Sequence, residues 1–289
     1  MNNKVRCWIE ATRLRTLPVS LAGVVLAVGF ARLDGCFSVV VAVLCLLFAT
    51  LAQIASNFAN EYYDFRDGLD RAGREGPRRG VTEGDIRPGD MLVATLATLG
   101  AACGVGCSLL LFGPWWLLPV GLLIALGVIA YSAGPYPLSR HGLGEVAVMI
   151  FFGIIPVNLT YFLQSGGFTL PVFLGSLSAA LMGANVLIVN NYRDIPDDSA
   201  VGKHTLAVLW GGRAVRLLYL FNGLAAVALM LPTWMSIAPW TLAVPGAYLV
   251  AHSCIFAALG RRTGRRLTPL LGMTAVLMAV YSLLFAIIA

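Results

Sequence analysis

Nine apolar runs, at roughly residues 17–33, 37–62, 90–113, 115–132, 144–163, 170–192, 213–232, 239–260 and 267–288, leave this chain few ways to fold. Each is about as long as a helix needs to be to cross the hydrocarbon of a bilayer, which takes roughly 20 apolar residues. Backbone amides in lipid must be satisfied within the element itself, so helices are the expected state of all nine. With 58% hydrophobic and 12% charged residues, the chain lies far from the composition of a soluble domain. The reading is an all-α, polytopic membrane protein with nine transmembrane helices around a central cavity.

Charge gives the orientation. Every one of the 20 Lys and Arg except Arg32 falls before the first run or after an even-numbered run. By the positive-inside rule the N-terminus and those loops are expected in the cytoplasm, and Ala289 outside. No cleavable signal is apparent ahead of the first run. The six cysteines lie mostly within apolar runs and form no Cys-x-x-Cys pair, so they read as small hydrophobic residues. Nothing in the charge pattern points to nucleic acid; the basic residues follow the membrane topology.

Two places break the apolar pattern with acids. The second run ends in Gln53, Asn57, Asn60 and Asp64, which share one helical face, and Asp67 and Asp70 follow. The sixth run ends in Asn190, Asn191, Tyr192, Arg193 and Asp194, with Asp198 four residues on and Lys203 soon after. Asn60 with Asp64 and Asn190 with Asp194 have the same i, i+4 spacing. Carboxylates at a helix C-terminus repel each other and face the negative end of the dipole, so a cation would relieve both penalties. Oxygen donors without nearby His or Cys favour a hard ion, and Mg²⁺ characteristically takes one or two carboxylates plus substrate phosphates. The bland alternative is a set of solvated loop acids, which one cluster alone would permit.

The four-run offset between the clusters suggests a single domain over residues 1–289, with runs one to four repeated by five to eight and a ninth added. Such a repeat brings the two helix ends together across the cavity. Arg78 and Arg79 in the first acidic loop suit bidentate contact with phosphate, and Lys203 suits a point contact with leaving-group charge. Topology alone explains Arg261, Arg262, Arg265 and Arg266. Pro196 argues against an unbroken helix from Asp194 to Asp198. Asn158 and Tyr161 are expected to line the cavity, Asn185 to pack between helices, and Glu145 to favour a helix start on dipole grounds.

At these residues the sequence resembles the UbiA superfamily of intramembrane aromatic prenyltransferases. The first cluster is similar to that family's N-x-x-x-D motif, and Asp194 with Asp198 to its D-x-x-x-D motif. Several stretches look closer to the menaquinone branch, the 1,4-dihydroxy-2-naphthoate polyprenyltransferases. They are Arg15-Thr16-Leu17-Pro18, Asn57-Phe58-Ala59-Asn60, Gly76-Pro77-Arg78-Arg79-Gly80, Gly142-Leu143-Gly144-Glu145 and Gly202-Lys203-His204-Thr205-Leu206. Glu61 stands where many members carry Asp, and Asp67 and Asp70 remain alternatives for completing the first metal site.

The resemblance implies Mg²⁺-dependent transfer of a polyprenyl chain from its diphosphate to a bicyclic aromatic acid, with loss of CO₂, at the cytoplasmic face of the cell (inner) membrane. It implies a reaction carried by Asn60, Asp64, Asp194 and Lys203. Arg15, Asn57, Arg78, Arg79, Asn190, Asn191, Arg193 and Lys203 would surround the substrates, and Asp64, Asp67, Asp70, Asp194 and Asp198 the metal. Other acceptors, such as 4-hydroxybenzoate, haem or a lipid headgroup, are alternatives. From another class comes a membrane transporter, which would place its acids near the midplane.

Overall fold

The computed structural model of the protein describes residues 3–70 and 78–289. Gly76 and Pro77 of the arginine-bearing stretch fall outside the described residues. All regular structure in the described residues is helical. In order these are α1 (Asn3–Ala11), α2 (Leu17–Leu33), α3 (Val39–Arg66), α4 (Pro88–Leu109), α5 (Leu117–Ala130), α6 (Gly144–Val148), α7 (Ile155–Ser165), α8 (Leu170–Ala200), α9 (Leu206–Ile237), α10 (Ala243–Leu259) and α11 (Thr268–Ile288). A π-helical stretch, Met149–Ile154, joins α6 to α7. Among the described residues seven helical spans are long and apolar enough to cross a membrane, the π segment and its two neighbours counting as one, Gly144–Ser165. Leu17–Leu33 and Leu117–Ala130 are apolar but shorter, at 17 and 14 residues.

Local chemistry sets the boundaries. Ser38, Thr169 and Thr205 cap α3, α8 and α9 by accepting from the amides of Val41, Val172 and Val208. Pro156 has no N–H to offer the Phe152 carbonyl, and there the helix widens into its π turn. Gly211 interrupts α9 at φ 80° and ψ 158°, a conformation open to glycine and costly to other residues. Pro196, expected to break the sixth segment, does not: α8 continues to Ala200. Near a helix end the proline forfeits one bond, to the Tyr192 carbonyl, and the rest of the turn survives.

Helix α8 is the centre of the bundle, with 72% of its apolar window buried, against 11% for α4 at the edge. It packs on α9, α11, α7, α2 and the π segment, while α2 ties α11 to α3 and α7. Close crossings use small residues, since lipid tails give helices no hydrophobic reason to associate and dispersion contacts must do so instead. Gly153 lies directly on the Ala180 backbone, and Gly29 on Phe285 and Ala286. A core of Phe30, Tyr219, Trp234, Tyr281 and Phe285 fills the α2–α9–α11 side, with Trp234 Nε1 donating to Tyr281 Oη at 2.7 Å. The six cysteines are free.

Gly153→Val should therefore cost about 1–3 kcal/mol through overpacking against α8. Gly246→Ala, where a side chain meets nothing within 4 Å, should be neutral or slightly stabilising. Thermal unfolding of the detergent-solubilised protein, followed by tryptophan fluorescence, checks both.

Candidate active site

At one end of the bundle, where α3, α5 and α8 finish and α2, α6, α9 and α11 begin, the helices surround a cavity of about 540 Å³. Its walls carry Arg13, Arg15, Asn57, Asn60, Arg78 and Arg79 from the first part of the chain. Asn190, Asn191, Arg193, Asp194, Asp198 and Lys203 come from the second. The two acidic clusters, far apart in sequence, thus meet at one chamber.

The polar stripe of α3 is buried and internally bonded. Gln53 Nε2 donates to Asn57 Oδ1 at 3.1 Å, Asn57 Nδ2 to the Thr12 carbonyl at 2.9 Å, and Asn60 Nδ2 to Asp64 Oδ2 at 3.2 Å. On α8 the same spacing gives the same bond: Asn190 Nδ2 donates to Asp194 Oδ2 at 3.4 Å. The shared i, i+4 spacing thus gives a carboxamide–carboxylate hydrogen bond on both helices.

Charge is then balanced in two different ways. Asp64, fully buried, collects cations from three separate loops: Lys203 Nζ at 3.0 Å, Arg140 Nη2 at 3.7 Å and Arg79 Nη2 at 3.9 Å. Asp194 is gripped by the preceding residue on its own helix, Arg193 Nε at 2.7 Å and Nη2 at 2.9 Å, a bidentate fork that also donates to Asn190 Oδ1 at 2.9 Å. Asp70 faces Arg79 Nε at 3.3 Å. Asp67 bonds to Arg66 Nε at 2.8 Å and to Arg140 Nη1 at 2.7 Å. The Arg66 bond foremost, opposed by partial burial and aided by Arg140, holds the Asp67 carboxyl below its ordinary range.

The sequence-predicted residues thus divide. Asn57, Asn60, Arg15, Arg79, Asn190, Asn191, Arg193, Asp194, Asp198 and Lys203 line the chamber. Arg78 also lines it, but is exposed and paired with Asp85. Asp64 sits just behind the wall, covered by Lys203 and Asn60, and Asp67 and Asp70 lie off the wall, Asp70 behind Arg79. Asn158 and Tyr161 do not line the chamber: Asn158 donates to the Ile154 carbonyl of its own helix, and Tyr161 Oη to Asp34 near the opposite end. Asn185 packs between helices as expected, donating to the Tyr219 carbonyl at 3.0 Å.

Four participants escaped the sequence reading. Arg13, at φ 51°, sends Nη2 to Asn60 Oδ1 at 2.6 Å. Arg140 donates to the Ser132 carbonyl at 2.8 Å while its own carbonyl receives the His204 amide at 2.9 Å, tying the α5–α6 loop to the α8–α9 loop. Ser132 Oγ accepts from Asn60 Nδ2 at 3.1 Å. Glu61 accepts the Val81 amide at 3.1 Å and so holds the turn that carries Arg79. Both arginines looked like topological charges; the departure at Glu61 was visible, though not its role.

A divalent cation fits the donor chemistry. The acids around the chamber offer oxygen alone, and Asp64 Oδ1 is buried with no hydrogen-bond donor among the described residues. No three of Asp, Glu, His or Cys among the described residues are grouped tightly enough to hold a metal by themselves. A hard ion that draws part of its shell from substrate phosphates needs no such cage.

A second, apolar cavity of about 280 Å³ extends between α3, α4, α5 and α7. It shares Gln53, Ser56, Tyr131 and Phe152 with the charged chamber, so the two are contiguous.

An apolar cleft adjoining a charged chamber suits a ligand with a long hydrocarbon tail and an anionic head. Comparison with known proteins agrees. The UbiA prenyltransferase family matches residues 17–267. The 1,4-dihydroxy-2-naphthoate octaprenyltransferase of Haemophilus influenzae is 31% identical over 99% of this chain and 96% of that protein. The enzyme so named from Mycobacterium tuberculosis is 34% identical over 96% of this chain and 95% of its own. Among solved structures, a UbiA homologue from Archaeoglobus fulgidus bound to DMAPP and Mg²⁺ superposes with a TM-score of 0.69, covering 98% of this chain and 99% of that one at 16% identity. Fold and relatives define an integral-membrane prenyltransferase. The chain belongs to the UbiA prenyltransferase family.

The Lys203–Asp64 pair gives a test of the geometry. Removing one partner of a buried pair leaves the other uncompensated, so Asp64→Asn and Lys203→Met should each destabilise. The double variant should recover part of the loss, with a coupling of about 1–3 kcal/mol. A double-mutant cycle on thermal unfolding in detergent measures it, and strict additivity would mean that the two side chains do not meet.

Proposed function

We propose that the protein transfers a polyprenyl chain from its diphosphate to 1,4-dihydroxy-2-naphthoate with loss of CO₂, giving the prenylated naphthoquinol of menaquinone synthesis. The observation that carries the reading is the Lys203–Asp64 contact, 3.0 Å between residues of opposite clusters, at a chamber contiguous with an apolar cleft. The naphthoate acceptor is that of the named relatives, two of which align along nearly their full length. The bundle is read as nine membrane-crossing helices, the two shorter apolar ones included, with N-terminus and chamber in the cytoplasm of a cell that keeps the protein in its inner membrane. Residues 1–289 are one domain in which the first four crossings are repeated by the next four.

In this reading the prenyl tail lies along the apolar cleft and the diphosphate among Arg79, Lys203, Arg78, Arg15 and Arg193. Asn57, Asn60, Asn190 and Asn191 orient the head by hydrogen bonding and hold the acids in register. Asp64, Asp194 and Asp198, with Asp70 or Asp67, are the residues that would hold Mg²⁺. Bound there, the ion would supply Lewis-acid neutralisation of the diphosphate leaving group. Lys203 and the guanidinium groups stabilise the charge developing on that group from fixed positions, where a low dielectric makes each contact stronger than it would be in water. The apolar wall keeps water from the allylic cation until the electron-rich ring attacks.

Reconstituted in phospholipid vesicles with geranylgeranyl diphosphate, Mg²⁺ and 1,4-dihydroxy-2-naphthoate, the protein should release pyrophosphate, CO₂ and prenylated product in equal amounts. Asp64→Ala and Asp194→Ala should each lower turnover by at least about 100-fold, and chelation of Mg²⁺ should abolish it reversibly. Pyrophosphate without prenylated product from any aromatic acceptor would defeat the transferase reading, and product from 4-hydroxybenzoate alone would replace the acceptor. An N-terminal reporter that works only in the cytoplasm should be active, and the same reporter after Ala289 silent.

A further inference from the structure

The mechanism so far leaves one buried acid of the chamber without work. Glu145, in the first turn of α6, is 5% exposed and lines the chamber where its charged floor meets an apolar wall formed by Val148, Phe152, Gly183 and Leu187. Asn191 Nδ2 donates to its Oε1 at 2.8 Å, while Oε2 is buried and has no hydrogen-bond donor among the described residues. Unlike Asp64 and Asp194, Glu145 forms no ion pair with a Lys or Arg among the described residues. An unpaired carboxylate in a chamber built for an anion would repel that anion, so its presence calls for a different ligand. A neutral donor meets the requirement: a hydroxyl on a flat ring resting against the apolar wall can give its proton to Oε2 and suffers no repulsion.

We infer that Glu145 is the catalytic base that accepts the hydroxyl proton of a phenolic acceptor, with Asn191 as the positioning residue that holds the carboxylate by its other oxygen. This rests on the prenyl-transfer reading above and names the group that makes the acceptor nucleophilic. The acceptor O–H proton passes to Glu145 Oε2, and the electron pair left on oxygen raises density at the adjacent ring carbon. A ring π pair forms the new bond to the prenyl C1, and the C1–O pair departs with the diphosphate. Where the attacked carbon bears a carboxylate, CO₂ leaves, its bonding pair restores the ring, and Glu145 returns the borrowed proton to oxygen. Where that carbon bears hydrogen, the ring proton is lost instead and one proton is released overall. General-base assistance of this kind contributes on the order of 10²–10⁴-fold.

The test uses the full-length protein in vesicles with geranylgeranyl diphosphate, Mg²⁺ and 1,4-dihydroxy-2-naphthoate. Glu145→Gln keeps shape and the Asn191 contact, and should lower kcat by about 100-fold or more while leaving affinity for geranylgeranyl diphosphate, read by calorimetric titration, within threefold. Acceptors with more acidic hydroxyls, such as ring-fluorinated analogues, should narrow the gap between variant and wild type, which a structural role would not do. Glu145→Asp should recover part of the rate. A Glu145→Gln rate within threefold of wild type, or a gap indifferent to hydroxyl acidity, overturns the assignment. Loss of geranylgeranyl diphosphate binding together with the rate also overturns it, because Glu145 would then be a structural residue. A wild-type protein that prenylates no phenolic acceptor instead defeats the transferase reading itself, so the two failures are separable.

Discussion

A buried carboxylate at the end of an apolar bundle must be met by positive charge, and most of the architecture at the working end of this protein follows from how Asp64 meets that demand. Helix packing alone sets α3 against α2 and α4, and α8 against α9 and α11, since apolar faces and small residues suffice for that. It would not decide where three loops go. Lys203, Arg140 and Arg79 arrive from three different loops and converge on one carboxylate at 3.0–3.9 Å. Each contact fixes its loop relative to α3, and the loops thereby acquire a shape that hydrophobicity could not specify. Glu61, one residue beyond Asn60, reinforces the arrangement by holding the turn that carries Arg79.

The apolar part of the fold sets the other half of the chemistry. The π segment next to Pro156 and the close crossing at Gly153 shape the α6–α7 span, whose Phe152 stands in the wall common to the charged chamber and the apolar cleft. An amphiphile can then lie with its head among cations and its tail among Leu, Val and Phe. The two cavities share Gln53, Ser56, Tyr131 and Phe152, so a change at any of these side chains alters both.

Much of this could be read in the sequence, and the rest was hidden for a physical reason. Apolar runs are legible because a membrane imposes a length, and the Gln53–Asn57–Asn60–Asp64 stripe is legible because a helix imposes a period. The Asn60–Asp64 and Asn190–Asp194 bonds follow directly from i, i+4 geometry. Arg13 and Arg140 were not legible, since pairing across distant loops has no period and a basic residue near a membrane already has an explanation in topology. Pro196 misled because a propensity averaged over helix interiors says little about the last turns, where a missing amide costs one bond. Asn158 and Tyr161 misled because polarity inside a membrane segment suggests a cavity; a self-bond to Ile154 and a partner at Asp34 satisfied them elsewhere.

The contrast between the two acidic clusters bears on how the chamber could work. Asp194 carries its counter-charge with it, on the preceding residue of the same helix, so its pairing does not depend on where any loop lies. Asp64 borrows its counter-charges from loops, and those cations are of the kind that bind phosphate oxygens well. On the proposed reading, a diphosphate entering the chamber would be met by Lys203 and Arg79, and Asp64 would be among the residues that hold the metal. Opposite charges stay in contact before and after, so entry does not require either group to be left buried and unpaired, the condition that makes buried charge so costly.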